Sequence, residues 1–138
     1  NDHDLAHVLD IKQEERGRSL KQAERAFAAF PRLAWLASAY RHVHSGERQS
    51  LTAELVTRTG RAMAGPADME MIVDRIGGGD AFAGGLISAI LQEKPLQRSI
   101  EEALAASVLK HYLPGDFLLA GQGDIDAFID GAPSDVQR

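Results

Sequence analysis

Residues 74–82, with the sequence Asp-Arg-Ile-Gly-Gly-Gly-Asp-Ala-Phe, constrain this chain more than any other stretch. The apolar run at 69–73 before them predicts a buried strand, and the run at 82–91 after them has its apolar residues at helical spacing. Three glycines therefore lie between the end of a strand and the start of a helix. Glycines allow close approach of the backbone to a ligand, and a helix N-terminus carries unpaired N–H donors with partial positive charge. The stretch predicts a binding place for a phosphate-like anion.

Asp80 has two interpretations at the start of this helix. It can cap the helix, because Asp is a preferred N-cap residue. It can also act as a general base that takes a proton from an alcohol as the alcohol attacks a phosphoryl group. The two roles compete for the same carboxylate oxygens. The Walker loop G-x-x-x-x-G-K-[ST] is absent, and Phe82 stands where the dinucleotide pattern has its third glycine.

Composition excludes several classes of protein. The chain has 138 residues, which is normally one domain, and a formal charge of −5 with scattered basic residues, so no nucleic-acid surface is indicated. It contains no cysteine, which rules out disulfides and thiolate metal sites. No apolar run reaches the length of a membrane span and no signal-peptide pattern opens the chain, so we expect a cytoplasmic protein without a membrane partner.

The rest of the chain alternates helical and strand patterns. Helices are predicted from Ser19 to Pro31, over 99–111 after a capping box at Ser99, and over 124–129. Strands are predicted at 33–39, 51–56 and 61–64, with a polar loop at 41–49, a turn at Gly65-Pro66, and a strand or extended loop at 116–120. This alternation predicts an α/β fold with a mostly parallel sheet flanked by helices.

Residues 74–85 also resemble a known family. Their pattern, Asp-x-x-Gly-x-Gly-Asp-x-Phe, is similar to the second signature of ribokinase-like (PfkB-type) sugar kinases. The full version, with Asp74-Arg75-Ile76 before the glycines, most resembles that of 2-keto-3-deoxygluconate kinases. Residues 109–117 and the ending 136–138 are similar to the tail of the same group. The resemblance covers the whole chain but only the C-terminal half of such an enzyme, so residues 1–138 would form its nucleotide-binding and catalytic portion.

The resemblance implies roles for individual residues. Asp80 would be the general base and would contact the sugar hydroxyl, while the N–H groups of Gly77, Gly78 and Gly79 would stabilise the moving phosphoryl group. Further residues would bind the nucleotide or, indirectly, the metal. They are Arg41 beside the phosphates, Ala103, Ala106 and Leu109 along the adenine pocket, and Asn1 and Asp4, which would help to place Mg²⁺ through water.

The family also suggests a monovalent cation near the anion loop, where the position matching Asp74 supplies a carboxylate. Here Arg75 and Ile76 replace the usual threonines. Lys110 could supply the missing positive charge, or it could simply complement the dipole at the end of its helix.

The function implied by the resemblance is ATP-dependent phosphorylation of 2-keto-3-deoxygluconate at its terminal hydroxyl, with ATP and Mg²⁺ as cofactors. The whole protein is expected to be a homo-oligomer. Two alternatives stay open: another ribokinase-like kinase, for fructose or ribose, and a catalytically incomplete fragment that only binds nucleotide and in which Asp80 only caps a helix.

Overall fold

The computed structural model describes residues 19–45 and 48–131, which form four helices and one three-stranded sheet. The predictions for Asn1 and Asp4 lie outside the described residues. In chain order the elements are α1 (Ser19–Ala29), β1 (Trp35–Val43), β2 (Arg48–Thr57), β3 (Arg61–Glu70), α2 (Gly78–Leu91), α3 (Leu96–His111) and α4 (Gln122–Ile129).

Strand β2 lies between β1 and β3, and both pairings are antiparallel. Ala53 is paired with Ala39 of β1 and with Ala64 of β3. Seven of the ten residues of the central strand β2 are buried, whereas β1 has no buried residue and β3 alternates between buried and exposed residues along much of its length. Leu51 and Leu55 belong to the main core together with residues of α3, whereas Val56 packs with residues of α1.

The α/β class is confirmed, but the expected parallel direction is wrong for the three described strands. Only four residues separate β1 from β2 and three separate β2 from β3, whereas a parallel connection needs a crossover of about a dozen residues or more. The sequence shows these short polar connections, and they are the signal from which antiparallel pairing could have been inferred.

Several predicted boundaries also differ. Strand β1 continues through Arg41 to Val43 and β2 begins at Arg48, so the loop predicted at 41–49 overlaps both strands. The predicted turn at Gly65-Pro66 lies inside β3, beside a register shift between Leu51 and Ala53. The predicted strand at 69–73 ends at Glu70, and residues 116–120 form no strand.

The last two helices begin earlier than predicted, at Leu96 and Gln122. Ser99 is not a cap, because its hydroxyl lies inside α3 and donates to the carbonyl of Pro95 at 3.1 Å. Pro95 itself is the N-cap residue of α3.

Helices α2 and α3 pack closely against each other, and Gly85 makes this possible. A Cβ added to Gly85 would lie 3.0 Å from both the Ala106 Cβ and the Glu102 carbonyl oxygen. The main core continues from this contact to the sheet through Phe82, Leu86, Ile100 and Leu104. The glycine that weakens an isolated helix is thus explained by helix–helix contact.

Candidate nucleotide and catalytic site

The segment between β3 and α2 is attached to the C-terminal end of α3 by backbone hydrogen bonds. The N–H groups of Val73 and Asp74 both donate to the carbonyl oxygen of His111, at 2.9 and 3.2 Å. The Asp74 carboxylate accepts the N–H of Ile76 at 2.9 Å through Oδ1 and that of Gly115 at 3.1 Å through Oδ2. The loop that carries the glycines is therefore fixed on the turn that follows α3.

These bonds favour the ionised form of Asp74. The hydrogen bond from Ile76 is the largest cause that lowers the pKa of Asp74 below its usual value, and the bond from Gly115 and the positive charge of Lys110 act in the same direction. Burial opposes them, but the net direction is downward.

A side chain would have a different effect at each of the three glycines. Gly77 has φ +80°, and a Cβ there would lie 2.0 Å from the backbone carbonyl oxygen of Asp116, so only glycine fits. A Cβ on Gly78 would lie 2.7 Å from Cε1 of His111. At Gly79 a Cβ would meet nothing within 4 Å, so the space beside this residue is open.

The first turn of α2 has backbone N–H donors without partners inside the helix. The N–H of Ala81 makes the first regular bond, to the Gly77 carbonyl at 2.8 Å, and the N–H of Gly78 makes only a long contact of 3.4 Å with Arg75. In an α-helix the N–H groups of Gly79 and Asp80 then have no intrahelical acceptor. Together with the helix dipole they form a place for an anion.

The position of Asp80 excludes the simple capping interpretation. The N-cap residue of α2 is Gly77, and Asp80 lies in the first turn, three residues later. Its side chain is exposed, and within residues 19–45 and 48–131 its carboxylate forms no hydrogen bond or ion pair. A carboxylate without a local partner beside unpaired N–H groups is available to a ligand. Its role as a general base stays a prediction.

The structure separates the predicted nucleotide residues. Arg41 is exposed in β1, opposite Leu51 of β2, and none of its described contacts joins it to the glycine loop. Ala103 and Ala106 have no accessible surface, so neither can touch an adenine ring unless α2 and α3 move apart. Leu109 is partly exposed and packs on the cluster that contains Ile125.

Sequence reasoning missed the role of the end of α3. His111 is almost completely buried, and its Nδ1 donates to the carbonyl of Ser107 at 2.7 Å while the ring packs against Gly78. Lys110 is completely buried, and its Nζ donates to the carbonyl of Leu113 at 2.9 Å. The available signal was a Lys-His pair one residue before the helix-ending sequence Leu-Pro-Gly.

Residues 19–45 and 48–131 contain no group of three or more His, Asp or Glu side chains placed to hold a metal ion. In the same part of the chain, no helix is long and apolar enough to cross a membrane.

The chain matches the model of the pfkB family carbohydrate kinases over residues 1–115. It therefore belongs to the pfkB family of carbohydrate kinases.

Solved structures with the ribokinase-like fold are similar to this chain. It superposes on a 2-dehydro-3-deoxygluconokinase from Thermotoga maritima with a TM-score of 0.84 and 29% identity, covering 95% of this chain and 40% of that one. A PfkB family carbohydrate kinase from Listeria grayi matches with a TM-score of 0.82 and 25% identity, covering 94% of this chain and 39% of that one.

A curated relative, 2-dehydro-3-deoxygalactonokinase from Haloferax volcanii, is 27% identical over 66 residues, which are 48% of this chain and 21% of the relative. The chain thus spans about two fifths of the length of the solved relatives and a smaller share of the curated one.

Proposed function

We propose that the protein catalyses ATP-dependent phosphorylation of 2-keto-3-deoxygluconate at its terminal hydroxyl. The observation that carries the proposal is the free, exposed carboxylate of Asp80 beside the unpaired N–H groups at the start of α2. The kinase class follows from the family. The sugar acid is proposed from the name of the Thermotoga relative.

In the proposed reaction each part of the site has one task. The carboxylate of Asp80 accepts the proton of the sugar hydroxyl as its oxygen attacks the γ-phosphorus of ATP, and ADP leaves. The N–H groups of the first turn donate to the transferring phosphoryl oxygens, where negative charge is concentrated. Because Asp74 and Asp116 hold the loop, these donors are placed before the substrate arrives.

Mg²⁺ is proposed to enter with ATP and to neutralise charge on its phosphates. Mg²⁺ keeps several waters and commonly binds through one or two carboxylates plus substrate phosphates. The phosphates of ATP and water would then supply most of its ligands, so a cage of three protein ligands is not needed. Asn1 and Asp4, which lie outside the described residues, stay the candidates for indirect contact with the ion through water.

The test is an assay of ADP release by the whole protein with a panel of acceptors. We expect the highest kcat/KM with 2-keto-3-deoxygluconate. Its galactonate epimer is the essential comparison, because the Haloferax relative bears that name. Fructose and ribose represent the other ribokinase-like kinases. Turnover only with fructose or ribose would contradict the proposed substrate, and no turnover with any acceptor would contradict the proposed reaction.

A second assay separates the kinase from a portion that only binds nucleotide. Residues 1–138 alone are expected to bind ATP·Mg weakly and to release no ADP with any sugar until the remaining part of the kinase is added. Ile87 and Leu91 of α2 are exposed, so this portion is also expected to self-associate when alone. Turnover by residues 1–138 as a monomer would contradict both expectations. The cytoplasmic location and the homo-oligomeric state of the whole protein stay predictions.

A further inference from the structure

The C-terminal end of α3 contains a completely buried lysine that the proposed chemistry does not use. The side chain of Lys110 is 0% exposed, and its Nζ donates to the carbonyl oxygen of Leu113 at 2.9 Å. Burying an ammonium group is costly unless nearby groups favour its charge. A lysine whose only task was to complement the helix dipole could do so from the surface, so this burial needs another reason.

The groups around Lys110 connect it to the glycine loop. Leu113, which receives the ammonium N–H, lies two residues before Gly115, whose N–H donates to the Asp74 carboxylate at 3.1 Å. The neighbouring carbonyl of His111 accepts the N–H groups of Val73 and Asp74. The turn after α3 and the loop before α2 are thus one hydrogen-bonded unit.

The same unit determines where the backbone donors of α2 lie. Gly77 would touch the Asp116 carbonyl at 2.0 Å if it carried a Cβ, so the loop lies directly on this turn. A shift of the turn would therefore move Gly77 and the first N–H groups of α2. The charge of Lys110 also contributes to the lowered pKa of Asp74, after the bonds from Ile76 and Gly115.

We propose that Lys110 is a positioning residue for phosphoryl transfer. Its buried ammonium holds the turn at 113–116, whose Gly115 N–H binds the Asp74 carboxylate, and through this turn it fixes the N–H donors at the start of α2. This inference rests on the proposed function, since it concerns the same anion-binding site at the start of α2.

The main variant is Lys110→Met in the whole protein, because methionine fills similar space without a charge. We expect kcat to fall on the order of 10²-fold, since a displacement of about 1 Å in a catalytic geometry has an effect of this size. The KM for ATP should change much less, because the donors are needed most when charge develops on the transferring group.

Lys94→Met is the matched control. Lys94 is a partly buried lysine with a strong ion pair, since its Nζ lies 2.7 and 2.9 Å from the carboxylate oxygens of Glu102, which is 1% exposed. It follows α2, at the opposite end of this helix from the glycine loop. We expect Lys94→Met to lower the melting temperature and to leave kcat within a few-fold.

Chemical rescue provides a readout that a purely structural role would not give. Lys110→Ala removes three carbons and the nitrogen, which n-propylammonium replaces. We expect n-propylammonium to restore part of the kcat of Lys110→Ala and to have no effect on Lys110→Met, whose side chain occupies the space. Chloride salts at equal ionic strength control for screening.

The outcomes separate this inference from the proposed function. If the wild-type protein phosphorylates the sugar acid and Asp80→Asn does not, the reaction stands, and a Lys110→Met protein with kcat within threefold of wild type overturns the positioning role. The absence of rescue in a folded Lys110→Ala protein also overturns it, as does failure of both Lys110 variants to fold at 10 °C, which assigns the lysine to stability alone. If the wild-type protein has no turnover, the proposed function itself has failed.

Discussion

Helices α2 and α4 begin with the same arrangement of residues, and only one of them forms a candidate site. Residues 77–80 read Gly-Gly-Gly-Asp and residues 121–124 read Gly-Gln-Gly-Asp. In both helices a glycine is the N-cap residue, a second glycine follows two positions later, and an aspartate lies in the first turn. From this shared pattern alone, both helix N-termini would be predicted to form an anion-binding site.

The backbone at the first glycine makes the difference. Gly121 has φ −90°, and its N–H donates to the Asp124 carboxylate at 2.8 Å, so that carboxylate is engaged by its own helix. Gly77 has φ +80°, and Asp80 forms no such bond. Gly77 also lies so close to the carbonyl of Asp116, a residue distant in sequence, that a Cβ would not fit there. The two helices thus differ both in the tertiary contact at the N-cap glycine and in whether the aspartate carboxylate is bonded to its own helix.

The largest expected effect comes from removing the charge of each aspartate. Asp80→Asn should lower turnover about 10²–10⁴-fold, the range for loss of a general base, because an amide cannot accept the hydroxyl proton. Nucleotide affinity should change little, since the amide keeps the shape of the side chain. The measurement is kcat together with a nucleotide titration.

Asp124→Asn is the matched control for that experiment. It should leave turnover within a few-fold and reduce stability by about 0.5 kcal/mol, because a carboxylate near a helix N-terminus is lost. Equal losses of turnover in the two variants would show that the effect is not specific to α2, and they would contradict the assignment of Asp80 as the general base.

The second effect concerns the two N-cap glycines. Gly77→Ala should destabilise the protein by on the order of 2–5 kcal/mol, since a Cβ would overlap the Asp116 carbonyl and alanine disfavours positive φ. Gly121→Ala should be nearly neutral, because its Cβ would come no closer than 3.8 Å to Asp124. Chemical denaturation of both variants checks this difference. Similar midpoints would contradict the contact between the glycine loop and the turn after α3.

The third effect tests whether an anion binds at the open glycine. A Cβ at either Gly79 or Gly123 would meet nothing within 4 Å, so valine should change the stability of each helix by only about 0.5 kcal/mol. Gly79→Val should nevertheless weaken ATP binding by about tenfold, or 1.4 kcal/mol, because the side chain would occupy the space of the phosphates. Gly123→Val should bind ATP normally. Unchanged affinity in Gly79→Val would mean that no phosphate lies there.

Gly78 is unsuitable for this test even though it lies in the same loop. A side chain there would first meet His111, at 2.7 Å, so any loss of binding would have two explanations. Its position against a buried histidine could not be inferred from the spacing of the glycines.

The comparison also shows what the sequence could predict. The glycines, the strand-to-helix order and the helix over 82–91 were sufficient to find the loop, because they are local signals. The sequence could not predict that Ala103 and Ala106 would be fully buried. Nor could it predict that Arg41 would lie in β1, which is separated by β2 from β3, the strand that leads to the glycine loop. These facts depend on which elements pack together.

Lys110 illustrates the same limit. The sequence offered two interpretations of it, a charge in place of a monovalent cation or a lysine that complements the helix dipole, and only the structure shows that it is completely buried. The parallel sheet was predicted from the alternation of helical and strand patterns along the chain. The three described strands instead follow one another without a helix between them and pair antiparallel.

The smallest expected effect is the acid dependence of stability, and it again compares the two regions. Asp74 beside the glycine loop and Asp126 in α4 both have lowered pKa values, the first chiefly through the N–H of Ile76 and the second through Gln122 and then Arg98. A carboxylate whose native pKa lies below the unfolded value of about 3.9 contributes stability that is fully present above that pH. The contribution is lost as the pH falls through the native pKa.

We therefore expect the melting temperature to fall as the pH drops below about 4, and to fall less steeply in Asp74→Asn and in Asp126→Asn than in the wild type. Only Asp74→Asn should also lower turnover at pH 7, because its carboxylate holds the N–H of Gly115 and the glycine loop. Asp126 bonds with Gln122 at 2.9 Å and with Arg98 in the neighbouring helix, and neither contact reaches the loop. Equal turnover in the two variants would mean that the hydrogen bonds of Asp74 stabilise the protein without affecting catalysis. A loss of turnover confined to Asp74→Asn would show that these bonds contribute both to stability and to catalysis.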